Sequence, residues 1–123
     1  MNSELVRVVG STGQDNLIAR LTPPAETFGI KVAAGEGVLA RGTVLAVNSA
    51  GKYVIAGTAD SSVSCILADP VDATDTTEDA TAVAYRSGNF NRAALIVKSG
   101  YTLTAADEDA LRKYDIIFTD MMN

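Results

Sequence analysis

The sequence predicts a mainly β domain of the α+β class, a small β-barrel with one short helix and an extended N-terminal arm. Three observations carry this. Short β-branched runs separated by Gly-containing turns recur from Phe28 to Val97. A single segment, Thr104 to Lys113, has the start and stop signals of a helix. Residues 1–27 differ in texture from the rest, mixing short apolar pieces with Gly10, Gly13 and the pair Pro23-Pro24.

In chain order, the arm comes first, over residues 1–27. Leu5-Val6, Val8-Val9 and Leu17-Ile18 are too short to build a core, and the double proline forbids helix and favours an extended path. Two readings fit equally: a partly flexible arm, or an ordinary edge strand of the domain. The domain proper is placed at residues 28–123. Ile30 and Val32 alternate with Lys31, and Gly35-Glu36-Gly37 makes a turn. Val38 to Val47 reads as strand, break, strand. Asn48-Ser49-Ala50-Gly51 turns the chain, and Lys52 to Ala56 returns as its hairpin partner. Ser61 to Ala68 is the next strand. Asp69 to Asp79 is an acidic, Thr-rich loop. Val83 to Arg86 and Phe90 to Val97 are expected to pair across a tight turn at Ser87-Gly88. Thr104 caps the helix with Asp107 in the capping-box position, acids fill the first turn and Arg112-Lys113 the last. Asp115 to Asp120 is a final strand.

One domain fits the 123 residues. With 47% hydrophobic residues but no Trp, four Tyr and three Phe, the core must come from Val, Ile, Leu and Ala. The net charge of −5 and scattered basic residues argue against nucleic acid as a partner. Histidine is absent, which removes the commonest general base and metal ligand. A hydroxyl nucleophile would lack an activating base, and no phosphate-binding loop is present. No enzyme activity and no cofactor are expected. The single Cys65 lies in an apolar strand pattern and reads as a small buried hydrophobe. No signal peptide or membrane-length apolar run is seen, so the chain is read as soluble and made in a reducing cytoplasm.

Six acids lie between residues 60 and 80 without a Lys or Arg: Asp60, Asp69, Asp72, Asp75, Glu78 and Asp79. Calcium-loop spacing is missing, and a solvated loop is the better reading. Gly37 to Leu45 resembles the turn of lipoyl and biotinyl carrier domains, with Lys52 as the lysine that would be modified. This is the alternative function.

Several motifs in order resemble the lambda-type bacteriophage head decoration proteins: Arg41-Gly42-Thr43-Val44-Leu45, the Gly51-Lys52-Tyr53 hairpin, Ile66-Leu67-Ala68, the acidic Thr loop, Tyr85-Arg86-Ser87-Gly88-Asn89-Phe90, and the helix followed by Ile116-Ile117-Phe118. The likeness covers about residues 35–120. The family's Trp-Pro segment ahead of the helix is replaced here by Ser99-Gly100-Tyr101. The resemblance implies a β-tulip-like domain and a structural role on the virion. It implies that a homotrimer binds the major capsid protein at local three-fold sites on the outside of an expanded shell and stabilises it against DNA pressure. No membrane partner is expected. Leu5, Val6, Val8 and Val9 would be arm contacts with the capsid, and Pro23-Pro24 would stiffen the arm's exit. Tyr85 and Phe90, flanking the expected Ser87-Gly88 turn, are candidate trimer contacts unless both pack inside the subunit.

Overall fold

The computed structural model describes residues 16–120. Among the described residues nine strands and one α-helix follow one another: β1 (Ile18–Arg20), β2 (Glu26–Val32), β3 (Gly37–Leu39), β4 (Val44–Asn48), β5 (Tyr53–Ile55), β6 (Ser61–Leu67), β7 (Val71–Ala73), β8 (Ala80–Asn91), α1 (Ala105–Arg112) and β9 (Ile116–Thr119).

Five strands close into a ring. β8 pairs antiparallel with β2, β2 pairs parallel with β5 at Val32–Tyr53, β5 pairs with β4, β4 with β6, and β6 returns to β8 at Ile66–Tyr85 and Leu67–Ala84. Closure leaves no long edge within the ring, a common solution for a small all-β core. β8 is the organising element. Its first half is held between β2 and β6, and its second half between β1 and β9. β3 and β7 form a separate two-stranded ladder, Val38 opposite Asp72.

Directly opposed residues share a sheet face. Ile30 opposes Ala82, Leu45 opposes Cys65 and Leu67 opposes Ala84, and all six are buried. They fill one layer of the core. Val44 opposes Ile66 on the other face, and both are fully buried too. That face is covered from outside: α1 packs on β6 and β9, and its Leu111 has no exposed surface. This explains why β4 shows no clean alternation, since Val44, Leu45 and Ala46 are all buried.

The hairpin at 48–52, the helix with its capping box and the final strand match the sequence reading. Thr104 Oγ1 accepts from Asp107 N at 3.0 Å, and Asp107 Oδ2 accepts from Thr104 N at 3.1 Å. Three expectations need correction. The arm boundary at residue 27 is too late: Leu17 is buried, β1 pairs with β8, and β2 begins at Glu26. The acidic loop is not wholly loop, because Val71–Ala73 pairs with β3. No turn lies at Ser87-Gly88 either. β8 runs unbroken for 12 residues from Ala80 to Asn91, and a 3-10 turn follows at Arg92–Ala94, capped by the Asn91 side chain.

Candidate functional site

Gly88 decides how the Tyr85-to-Phe90 motif folds. It is buried with φ +147°, and a Cβ placed there would lie 2.8 Å from Phe90 Cζ and 3.4 Å from Ala25 Cα. The glycine therefore marks a close approach inside a strand. Phe90 has no exposed surface, and its ring lies 5.2 Å from that of Tyr85, tilted by 52°. Arg41 holds the Tyr85 tip: its Nη1 donates to Tyr85 Oη at 2.6 Å and to the Ala68 carbonyl at 3.0 Å, with the guanidinium 5.5 Å from the ring centre. Both aromatics are thus inside the subunit. The reading of Tyr85 and Phe90 as trimer contacts gives way to the packing alternative, since side chains buried in their own subunit cannot reach another.

Leu5, Val6, Val8 and Val9 lie outside the described residues. Pro23 and Pro24 lie within them and are part of the domain. The Pro24 carbonyl accepts from Ser87 Oγ at 2.7 Å, and the segment links β1 to β2 along the flank of β8. The chain enters the domain at Leu17, whose carbonyl accepts from Asn91 N at 2.7 Å.

Lys52, the candidate carrier lysine, is ion-paired to Asp79. Asp79 also accepts from the Ala34 N–H, and the Lys52 contact followed by that hydrogen bond holds its carboxyl below the ordinary carboxylate range. A lysine engaged at the base of the acidic loop is not the free hairpin tip a carrier domain presents. Asp72 and Asp75 are occupied locally, each accepting from the backbone and hydroxyl of the Thr two residues on. Among the described residues no group of three or more His, Cys, Asp and Glu could hold a metal, and no helix is long and apolar enough to cross a membrane. Cys65 is buried, and burial pushes its thiol up to about 12.

Two surface features were not visible in the sequence. The first is a polar clamp: Arg92 ion-pairs with Glu108 of α1 and with Asp120 at 2.7 Å, and lies over the Phe118 ring at 5.7 Å. It ties the 3-10 turn, the helix and β9 together. The second is an open cavity of about 300 Å³ lined by Phe28, Tyr53, Ser64, Arg86 and Tyr114. Phe28 and Tyr53 meet edge to face at 6.4 Å, and burial raises the Tyr53 phenol. These residues span positions 28 to 114, so only the strand register brings them together.

Small strands, an engaged lysine and surfaces of mixed apolar and charged character define a compact β-rich structural module. Its family follows from direct comparison. The model of the bacteriophage lambda head decoration protein D family matches residues 10–117, and the chain belongs to that family. It is a structural protein of a phage capsid, associated with the head of the virion. A comparison with curated proteins gave no match.

Proposed function

We propose that this protein binds the outer surface of an expanded phage capsid as a homotrimer, at local three-fold sites, and stabilises the shell against the pressure of packaged DNA. The family match over residues 10–117 is the observation that carries this reading. The physical logic is that of many contacts made together. A trimer bridging several major capsid protein subunits adds avidity at every site without any chemistry. The protein is not an enzyme, needs no cofactor, and takes neither nucleic acid nor membrane as a partner.

The arm supplies part of the capsid contact. Leu5, Val6, Val8 and Val9 offer apolar side chains in a segment suited to adding a strand to an exposed sheet edge. The burial of Leu17 and the pairing of β1 support an arm that ends ahead of Leu17, with Leu17 and β1 belonging to the folded domain. Pro23-Pro24 acts inside the domain, fixing the path from β1 to β2.

The test is direct. Purified protein is mixed with expanded, undecorated capsids, and the shells are pelleted and heated. Saturable binding in multiples of three per site, with rupture moved to higher temperature, is the expected result. Binding without any change in rupture temperature would overturn the stabilising role, and no binding would overturn the assignment.

A further inference from the structure

We propose that the trimer is built by pairing of sheet edges: β1 of one copy adds to the free edge of β9 of the next. This rests on the homotrimer reading above and says which surfaces make it. The second half of β8 is the centre of a three-stranded sheet, with β1 on one side and β9 on the other. Asn89 of β8 has Arg20 as its partner across the first ladder and Ile117 across the second. No strand among the described residues pairs with the far side of either. The two free edges are therefore opposite sides of one sheet.

Edge strands of three and four residues are ordinary in themselves, since shortness is one way an edge is kept from pairing. What points to a second copy is that these two edges complement each other. The Asp115 carbonyl accepts from Gly88 N at 2.9 Å, so along the parallel ladder the backbone groups of Ile116 and Phe118 turn outward. The Leu17 carbonyl accepts from Asn91 N at 2.7 Å, which leaves those of Ile18 turned outward on the other side. β1 runs antiparallel to β8 and β9 parallel to it. Copies related by an axis along β8 would thus bring β1 against β9 in the antiparallel sense, the commoner one. A contact between two different edges is heterologous, and heterologous contacts close into rings, as a three-fold assembly requires.

The side chains agree with the backbone. On the β9 flank an open groove of about 410 Å³ is lined by Arg92, Glu108, Arg112, Ile116, Ile117 and Phe118. On the β1 flank Leu21 directly follows Arg20 and is the most exposed large apolar side chain among the described residues. Arg20 and Ile117 are both level with Asn89, so edge pairing at that level sets Leu21 of one copy against the apolar floor of the next copy's groove. Arg20 and Asp115, the latter two positions before Ile117, are both exposed and form none of the ion pairs found among the described residues. The same pairing brings these opposite charges together.

Engineered disulfides test the edge contact. Within one subunit Arg20 and Ile117 lie two strand spacings apart, about 10 Å, beyond the ~7 Å that a disulfide can span between Cα atoms. Only a bond between copies can join them, and the native Cys65 is buried. The full chain carrying Arg20→Cys with Ile117→Cys, or with Thr119→Cys to allow a stagger of two residues, is oxidised while folded, free and on capsids. Circular dichroism confirms folding, light scattering gives the mass in solution, and a non-reducing gel reads the cross-link. Either pair should give a covalent species of three times the chain mass, and each single variant should stay at one chain. A covalent dimer from Ile117→Cys alone would mean that like edges meet and would overturn the proposal. A trimer that neither pair cross-links would overturn the edge contact while leaving the trimer in place. A wild type that is monomeric at every concentration, with no cross-link on capsids from either pair, would overturn both the edge contact and the trimer reading.

Discussion

Replacing Gly88 with alanine is the sharpest test of the packing that organises β8. The added methyl would stand 2.8 Å from Phe90 Cζ and 3.0 Å from Cε2, at a backbone φ of +147° that side chains rarely adopt. The Phe90 ring has no exposed surface and touches Tyr85, so it has little freedom to yield. Backbone strain of roughly 1–3 kcal/mol and overpacking of about 1–3 kcal/mol together suggest a loss on the order of 3 kcal/mol. For a domain of this size that lowers the melting temperature by roughly 10 °C. Urea unfolding followed by circular dichroism measures it. Gly29 is the control: a Cβ there meets nothing within 4 Å, so Gly29→Ala should be neutral or slightly stabilising. The clash also predicts coupling. Gly88→Ala combined with Phe90→Leu should cost less than the sum of the two single changes. A Gly88→Ala protein within about 0.5 kcal/mol of wild type, a bound set by typical surface substitutions, would refute the close-approach account.

Other outcomes follow from the same contacts. Deleting residues 2–15 should leave melting unchanged but weaken capsid decoration, whereas deleting 2–20 also removes buried Leu17 and β1 and should lower the melting temperature; equal melting of the two truncations would remove β1 from the domain. Thr104→Ala should cost about 1 kcal/mol by breaking the capping box seen at the start of α1, read by thermal unfolding. The lowered Asp79 carboxyl contributes stability above its ordinary value of 3.8, lost as pH falls toward its depressed native value. Asp79→Asn should therefore flatten the acid limb of the stability profile, and an unchanged limb would show that the Lys52 pair adds nothing. Cys65, buried with its thiol pushed up to about 12, should resist thiol reagents at mildly alkaline pH until the protein unfolds; fast labelling of the native protein would contradict its place in the core.

Local chemistry alone specified much of this molecule. The capping box at Thr104 and Asp107, the Asn48 hairpin turn and the alternation of Ile30 and Val32 are encoded within a few residues, so each could be read from the sequence. So was the family, because its motifs keep their order. What the sequence left open depends on contacts between distant positions. Ser87-Gly88 looks like a turn because glycine permits one; only the Phe90 ring and the Thr22-Pro23-Pro24 segment between β1 and β2 show it as a crossing point inside a continuous strand. Leu17-Ile18 looks like part of an arm because two apolar residues make no core of their own; β8 supplies the missing partner. The cavity of Phe28, Tyr53 and Tyr114 has no signature in sequence, since its walls come from β2, β5 and the turn between α1 and β9 and meet only when the ring of strands closes. Sequence determines which segments extend, turn or coil; closure of the barrel decides which side chains become core and which are left at the surface.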